Sequence, residues 1–336
     1  MKHNLITSSF ITSGIAASLI ILGAAASSNA IAADKQVEAA DLVEIFQKLG
    51  GNYPGFRKAH AKGLCATGTF VPSPNENFKD AALTSSGSLP VSMRFSIGGA
   101  NPNSSENTPG VRGLGMQIKL PSGGVHTFTG NNTPVFAGKD PETFFGFLST
   151  LLPDESGKPD MAKMMAFIQA NPSVQASAMW NQKAKTPASF ANTAYFGLHT
   201  FYFNTSTGQK TKFRWDIQPD LGVKTLEKDE AAKMPTAFLD DVFAKQLKDE
   251  TVSFTIMASI GEAEDSEIDP SQQWPSERPQ VALGKVTIST IGSDACKNTN
   301  YDPNRMSPGF TPSADPILRM RSPAYAISFG KRLSNQ

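Results

Sequence analysis

The centre of this chain is a succession of short strand-like runs, and that succession is what most limits the folds open to it. Leu64 to Val71, Val91 to Ile97, Val111 to Leu120 and Val125 to Thr129 follow one another across turn-rich loops such as Ala100 to Gly110. A hairpin comes next: the aromatic-rich arms Thr193 to Asn204 and Thr211 to Ile217 are joined by Thr205 to Lys210, with Gly208 at the turn. Thr251 to Ala258 and Val281 to Thr290 add two more runs, separated by an acidic, Pro-rich loop from Glu262 to Pro279. Helical spacing is found at Asp34 to Leu49, stopped by Gly50-Gly51, and again at Met161 to Ala170, Ser173 to Trp180 and Leu226 to Leu247, where Pro235 is a break. Asp140-Pro141 opens another helix carrying Phe144, Phe145, Phe147 and Leu148, because Asp caps well and Pro suits the first turn. Met161, Met164 and Met165 read as packing. Strands that follow strands, with helices inserted late, predict an α+β fold built on a closed antiparallel β-barrel, not a parallel βαβ sheet. The 27 glycines and 23 prolines match that many turns.

The N-terminus carries the pattern of a secretory signal: Lys2, an apolar core from Ile15 to Ala26, and the small-x-small site Ala30-Ile31-Ala32. The apolar core is shorter than the roughly 20 residues a spanning helix needs. The expected mature chain is residues 33–336, exported to a bacterial periplasm, with no membrane span. Removing residues 1–32 takes away one cation, Lys2, and leaves 30 Lys+Arg against 30 Asp+Glu. That balance gives no sign of a nucleic-acid or anionic-membrane partner. Cys65 and Cys296 are the only cysteines. In an oxidising compartment they either pair or stay free, and sequence does not decide it. Monomer and small homo-oligomer both stay open.

Asn52 to Phe70 places Arg57, His60 and Lys62 just ahead of the first strand-like run, in a chain with four histidines. Arg57-Lys-Ala-His60-Ala-Lys-Gly, Arg94-Phe-Ser96 and Gly130-Asn131-Asn-Thr-Pro134 resemble, in this order, segments of the haem catalases. Gly197-Leu-His-Thr-Phe-Tyr-Phe-Asn204, Asp269-Pro-Ser-Gln-Gln-Trp-Pro275, Leu283-Gly-Lys-Val-Thr-Ile288 and Pro308-Gly-Phe-Thr-Pro-Ser313 with Asp315, Leu318, Arg321 and Tyr325 continue the match. The resemblance covers roughly residues 50 to 332 and implies one catalase-like, haem-binding domain over 33–336, with a barrel of the haem-catalase type and a C-terminal helix. The chain ends soon after Tyr325, without the longer C-terminal continuation of typical catalases. In that it is similar to the exported catalase-related peroxidases.

The resemblance implies haem b with iron, ligated by Tyr325. Such ligation needs a phenolate stabilised by a nearby cation, and Arg321 shares a helical face with Tyr325. Pro323 must kink that helix or sit in its first turn. His60 is implied as the acid-base group of O–O cleavage, Asn131 as the peroxide-binding amide and Ser96 as the residue orienting the imidazole. Asn132 is expected to hold the turn. Arg57, Arg94 and Arg332 are implied as partners of the haem propionates, and Phe144, with Phe136, as a cover of the haem face or pocket. Lys62, His126 and His199 are expected to be structural or exposed. Ala59, where typical catalases carry Val and the allene oxide synthases Thr, argues against fatty-acid hydroperoxide rearrangement and for a roomier pocket. The activity implied is peroxidase, with peroxide and a small organic reductant as partners. A true catalase, or a haem carrier without catalysis, is the alternative.

Overall fold

The strand-like runs become twelve strands in the computed structural model, which describes residues 36–336. The expected signal segment, residues 1–32, lies outside the described residues. In chain order the strands are β1 (Gly63–Pro72), β2 (Leu89–Ile97), β3 (Arg112–Lys119), β4 (Val125–Asn131), β5 (Thr186–Pro187), β6 (Tyr195–Phe196), β7 (Phe201–Asn204), β8 (Lys210–Pro219), β9 (Thr225–Leu226), β10 (Ser253–Ile260), β11 (Gln280–Ile291) and β12 (Phe310–Pro312). The order β10-β11-β1-β2-β3-β4-β6-β8 closes on itself through β8 and β10, and its pairings are antiparallel. β7 and β12 extend the sheet beyond β8, while β5 and β9 pair separately. The expected closed antiparallel barrel of an α+β chain is therefore present. Closure removes the free edges that an open sheet would expose.

The helices are α1 (Ala39–Gly50), α2 (Ala82–Ser85), α3 (Pro141–Thr150), α4 (Met161–Ala170), α5 (Pro172–Lys183), α6 (Lys228–Ala231), α7 (Leu239–Asp249) and α8 (Pro316–Leu333). Asp140 caps α3 by accepting from the Thr143 N–H at 2.8 Å, with Pro141 in the first turn. Such a cap contributes about 1 kcal/mol. Asp315 caps α8 in the same way, accepting from the Ile317 and Leu318 N–H groups. α8 runs on through Pro323, which cannot donate to the Arg319 carbonyl one turn back. The break expected at Pro235 within Leu226–Leu247 is present, with β9 and α6 before it and α7 after it; Leu226 itself is strand, not helix. The first hairpin arm is broken as well, into β6 and β7, where Leu198 takes a left-handed φ of 62°. No helix of the described residues is long and apolar enough to cross a membrane.

Strand pleating separates core from site. In β2, Val91, Met93, Phe95 and Ile97 enter the buried core, so Arg94 and Ser96 face the other way. β3 repeats this with Leu114, Met116 and Ile118 inside and Gly113 and Gly115 outside; β4 has Phe128 inside and Thr129 and Asn131 outside. The outer face of β2–β4 is roofed by α1, α3 and α8, and the cavity lies between the two layers.

His126 is on the inner face of β4, buried against Phe128 and Phe310 at ring distances of 4.6 and 4.7 Å. Its Nδ1 accepts from the Ser307 N–H at 3.2 Å. Burial pushes its pKa down to about 3. The unfolded chain therefore binds a proton near pH 6.5 that the folded chain refuses until about pH 3, so stability drains as pH falls through that window. Compared with a His126→Phe variant, the protein is expected to lose about 1.4 kcal/mol per pH unit between pH 6 and 4 in urea unfolding. A pH-independent difference would refute the assignment.

Candidate active site

His60 sits in the turn before β1 with φ 53°, a left-handed conformation that a non-glycine residue adopts only when its surroundings hold it there. Arg94 supplies that hold. Its Nη1 donates to the His60 carbonyl at 2.8 Å and its Nη2 to the Ala61 carbonyl at 2.9 Å. The His60 Nδ1 lies 3.0 Å from the Ser96 Oγ, and Ser96 in turn donates to the Gly113 carbonyl at 3.3 Å. With its own hydrogen committed to Gly113, Ser96 accepts from Nδ1–H, so the lone pair is on Nε2. Gly113 is required here: a Cβ at that position would stand 2.6 Å from the His60 Nδ1. Burial, then the charges of Arg94, Arg321 and Arg57, push the His60 pKa down to about 4, which leaves the ring neutral at ordinary pH.

Asn131, at the end of β4, has its Oδ1 occupied by the Thr133 N–H at 2.8 Å and by the Thr133 hydroxyl. Its remaining function is the amide NH₂, a donor. Asn132 instead holds the turn, accepting from the Arg112 N–H at 2.8 Å and donating to the Gly110 carbonyl at 3.3 Å.

Tyr325 lines the same cavity from α8. Arg321, one helical turn earlier, donates from Nη2 to the Tyr325 Oη at 2.9 Å. A guanidinium in that position would offset negative charge on the phenol oxygen if a bound metal ion drew the proton from it. The orientation of α8 is set from its first turn, where Asp315 also accepts from the His199 Nδ1–H at 2.6 Å. His199 is wholly buried and its pKa is lowered, by burial first, with Asp315 opposing and the Arg321 charge adding to the effect. Its Nε2 is buried with no hydrogen-bond partner. His199 has no role legible in the sequence, because its place depends on the break between β6 and β7. The only signals were the Gly197–Asn204 match and the Asp315 in the proximal stretch.

His60, Ser96, Asn131, Arg57, Arg94, Phe144, Arg321 and Tyr325 thus line one cavity of about 420 Å³. Phe136 and Phe144 pack on each other at 4.6 Å in its wall. Arg57 donates from Nη2 to the Thr299 carbonyl at 2.8 Å. Arg332 lies beside the cavity with its guanidinium 4.8 Å from the ring of the lining Phe329. Its Nε and Nη2 are buried without partners. Burial and then the Arg332 charge hold Arg57 down to about 10; burial and then the Arg57 charge hold Arg94 down to about 9. Three mutually repelling guanidiniums, with the buried Nε and Nη2 of Arg332 unpaired, suit an anionic ligand. Gly113 and Gly115 keep the facing strand surface flat; a Cβ at Gly115 would meet the Tyr301 ring at 2.6 Å. Lys62 is scaffold: it pairs with Glu106 at 2.7 Å, whose other oxygen accepts from the Phe238 and Leu239 N–H groups at the start of α7.

The catalase family model matches residues 37–336. The chain belongs to the catalase family. This catalase-family chain is 37% identical over 283 residues to a catalase-related peroxidase of Synechococcus elongatus, covering 83% of this chain and 84% of that one. It is 31% identical over 293 residues to a catalase-related peroxidase of Mycolicibacterium paratuberculosis, covering 85% and 92%. Among solved structures it superposes on catalase A from Saccharomyces cerevisiae with a TM-score of 0.73 at 24% identity, over 84% of this chain and 62% of that one. That likeness concerns the fold, and the chain spans under two thirds of the yeast enzyme. Catalases hold haem. The residues present fit one: a phenol on one wall, a neutral imidazole, an amide and flat glycine positions on the other, and the unpaired donors of Arg332 beside them.

Replacing Tyr325 by Ala is expected to lower haem retention sharply. Arg321→Leu should keep most haem but shift its absorption, since the charge on the phenol oxygen changes. Haem content and spectrum unaltered in both variants would remove Tyr325 as ligand.

Proposed function

We propose that this chain is a haem b-dependent peroxidase that reduces hydrogen peroxide and organic hydroperoxides with a small organic donor. One observation carries the reading. A neutral His60 whose Nε2 lone pair is free, and the Asn131 amide donor, line the same cavity as the Arg321-paired Tyr325. When bound, the haem iron supplies the electrons for O–O cleavage, and Tyr325 would hold it.

The chain's own residues handle the protons. Asn131 Nδ2–H donates to a peroxide oxygen and fixes its orientation. His60 Nε2 accepts the proton from one peroxide oxygen and delivers it to the departing one, which leaves as water or an alcohol. Overall, one hydroperoxide and one donor that gives up two electrons and two protons yield alcohol, water and oxidised donor. Ser96 keeps the imidazole in the tautomer that makes this possible. Arg57, Arg94 and Arg332 would pair with the haem carboxylates, although both Nη atoms of Arg94 are already engaged with the distal turn. Phe136, Phe144 and Phe147 make the wall apolar, which supports access for organic hydroperoxides. A carrier without catalysis would have no use for the aligned Ser96–His60 pair.

The reading extends to export into the periplasm with a cleaved signal at residues 1–32. The Cys65–Cys296 disulfide supports it, because such bonds persist in oxidising compartments.

Purified holoprotein should oxidise a dye with either hydrogen peroxide or cumene hydroperoxide, with little oxygen evolved. Rapid oxygen release with little dye oxidation would instead make it a true catalase. His60→Ala should retain haem and lose about 10²–10⁴-fold in the rate of reaction with peroxide. Because the base form of His60 is the active one, that rate is expected to stay level from pH 8 to 5 and fall as pH drops through about 4. A fall centred near pH 6.5 would exclude His60 as the group observed.

A further inference from the structure

The Cys65–Cys296 disulfide joins segments 231 residues apart in sequence and is buried, Cys65 being 8% and Cys296 1% exposed. Cys65 lies on β1, directly opposite Arg94 of β2. Cys296 lies in the irregular stretch that follows β11 and contributes Asn300 and Tyr301 to the cavity wall. That stretch is fastened to the barrel at its two ends. The Gly292 N–H donates to the Cys65 carbonyl at 2.9 Å, and the Thr129 Oγ1 donates to the Tyr301 carbonyl at 2.6 Å.

Between those ends, among the described residues, the hydrogen bonds of residues 293–299 are local or come from Arg57. The Lys297 N–H reaches Asp294 and the Thr299 N–H reaches Cys296, both carbonyls of the stretch itself. Arg57 Nη2 donates outward to two of its carbonyls, Thr299 at 2.8 Å and Cys296 at 3.4 Å. The carbonyls that aim Arg57 are thus held in place by the sulfur bridge. Tyr325 packs against the same cluster of Cys65, Cys296 and Tyr301, but the hydrogen bond to its side chain comes from Arg321 on its own helix.

We infer that the Cys65–Cys296 disulfide is a positioning element for Arg57: by fixing the Cys296 and Thr299 carbonyls it keeps the guanidinium at the anionic end of the site and so retains the prosthetic group. The inference rests on the haem reading given above. A bridge is expected to narrow the unfolded ensemble whatever it touches; an effect transmitted through Arg57 is a different property and can be separated from it.

The separation uses holoprotein, a Cys65→Ala/Cys296→Ala variant, Arg57→Ala, and the three substitutions together. Haem transfer to excess apomyoglobin is followed by absorbance, and the melting temperature is recorded in parallel. Loss of the bridge should speed haem transfer at least tenfold. In the Arg57→Ala background, removing the bridge should add less than twofold, because residues acting as one unit are not additive. Hydrogen exchange of the haem-free proteins should show amides 293–299 opening when the bridge is absent. If the alanine pair does not accumulate as folded protein, the comparison is made after phosphine reduction of the bridged chains, with thiols counted by mass. An unchanged transfer rate, or bridge and Arg57 effects that multiply in full, would overturn the inference while leaving the haem reading intact. Wild-type protein without a haem absorption band would overturn both.

Discussion

A β-strand has two faces, and in β2–β4 both are committed. Met93, Phe95, Leu114, Met116 and Phe128 fill the barrel, each worth roughly 1.5–3 kcal/mol when fully buried. The alternate residues Arg94, Ser96, Gly113, Gly115, Thr129 and Asn131 form the floor of the cavity. The site is therefore as rigid as the core behind it. A slip of one residue in register would bury the functional set and expose the apolar one, so register is strongly specified.

Rigidity matters because the floor carries strain. His60 is held in a left-handed turn by two bonds from Arg94, itself a residue of β2. An arginine read as a partner for haem carboxylates also serves as the brace of the imidazole. With both Nη atoms engaged, Arg94 contributes mainly charge to the edge of the site, and Arg57 and Arg332 are left with the freer donors. Mutual repulsion among the three, in a poorly solvated setting, is offset once an anion binds.

The opposite wall depends on how α8 starts. Asp315 accepts from the Ile317 and Leu318 N–H groups and from His199, so one carboxylate caps the helix and ties it to the chain between β6 and β7. Arg321 and Tyr325 then share a face one turn apart, a spacing that follows from helix geometry alone. Pro323 does not interfere, since its missing N–H affects only the Arg319 carbonyl.

The sequence by itself determined the strand runs, the cap at Asp140, the helical spacing of Arg321 and Tyr325, and through ordered motifs the family and most cavity residues. These are local or periodic signals, fixed by side chains a few positions apart. It could not place His199, whose pairing with Asp315 crosses 116 residues and needs the break around Leu198. The break at Pro235 was legible too, but not that Leu226 belongs to the short strand β9, whose partner β5 lies some forty residues earlier. Spacing left Cys65 and Cys296 open as well; their Cα atoms lie 5.3 Å apart only because β1 and the stretch after β11 meet across the closed barrel. Contacts of that range depend on which strands become neighbours, and only the tertiary structure decides that.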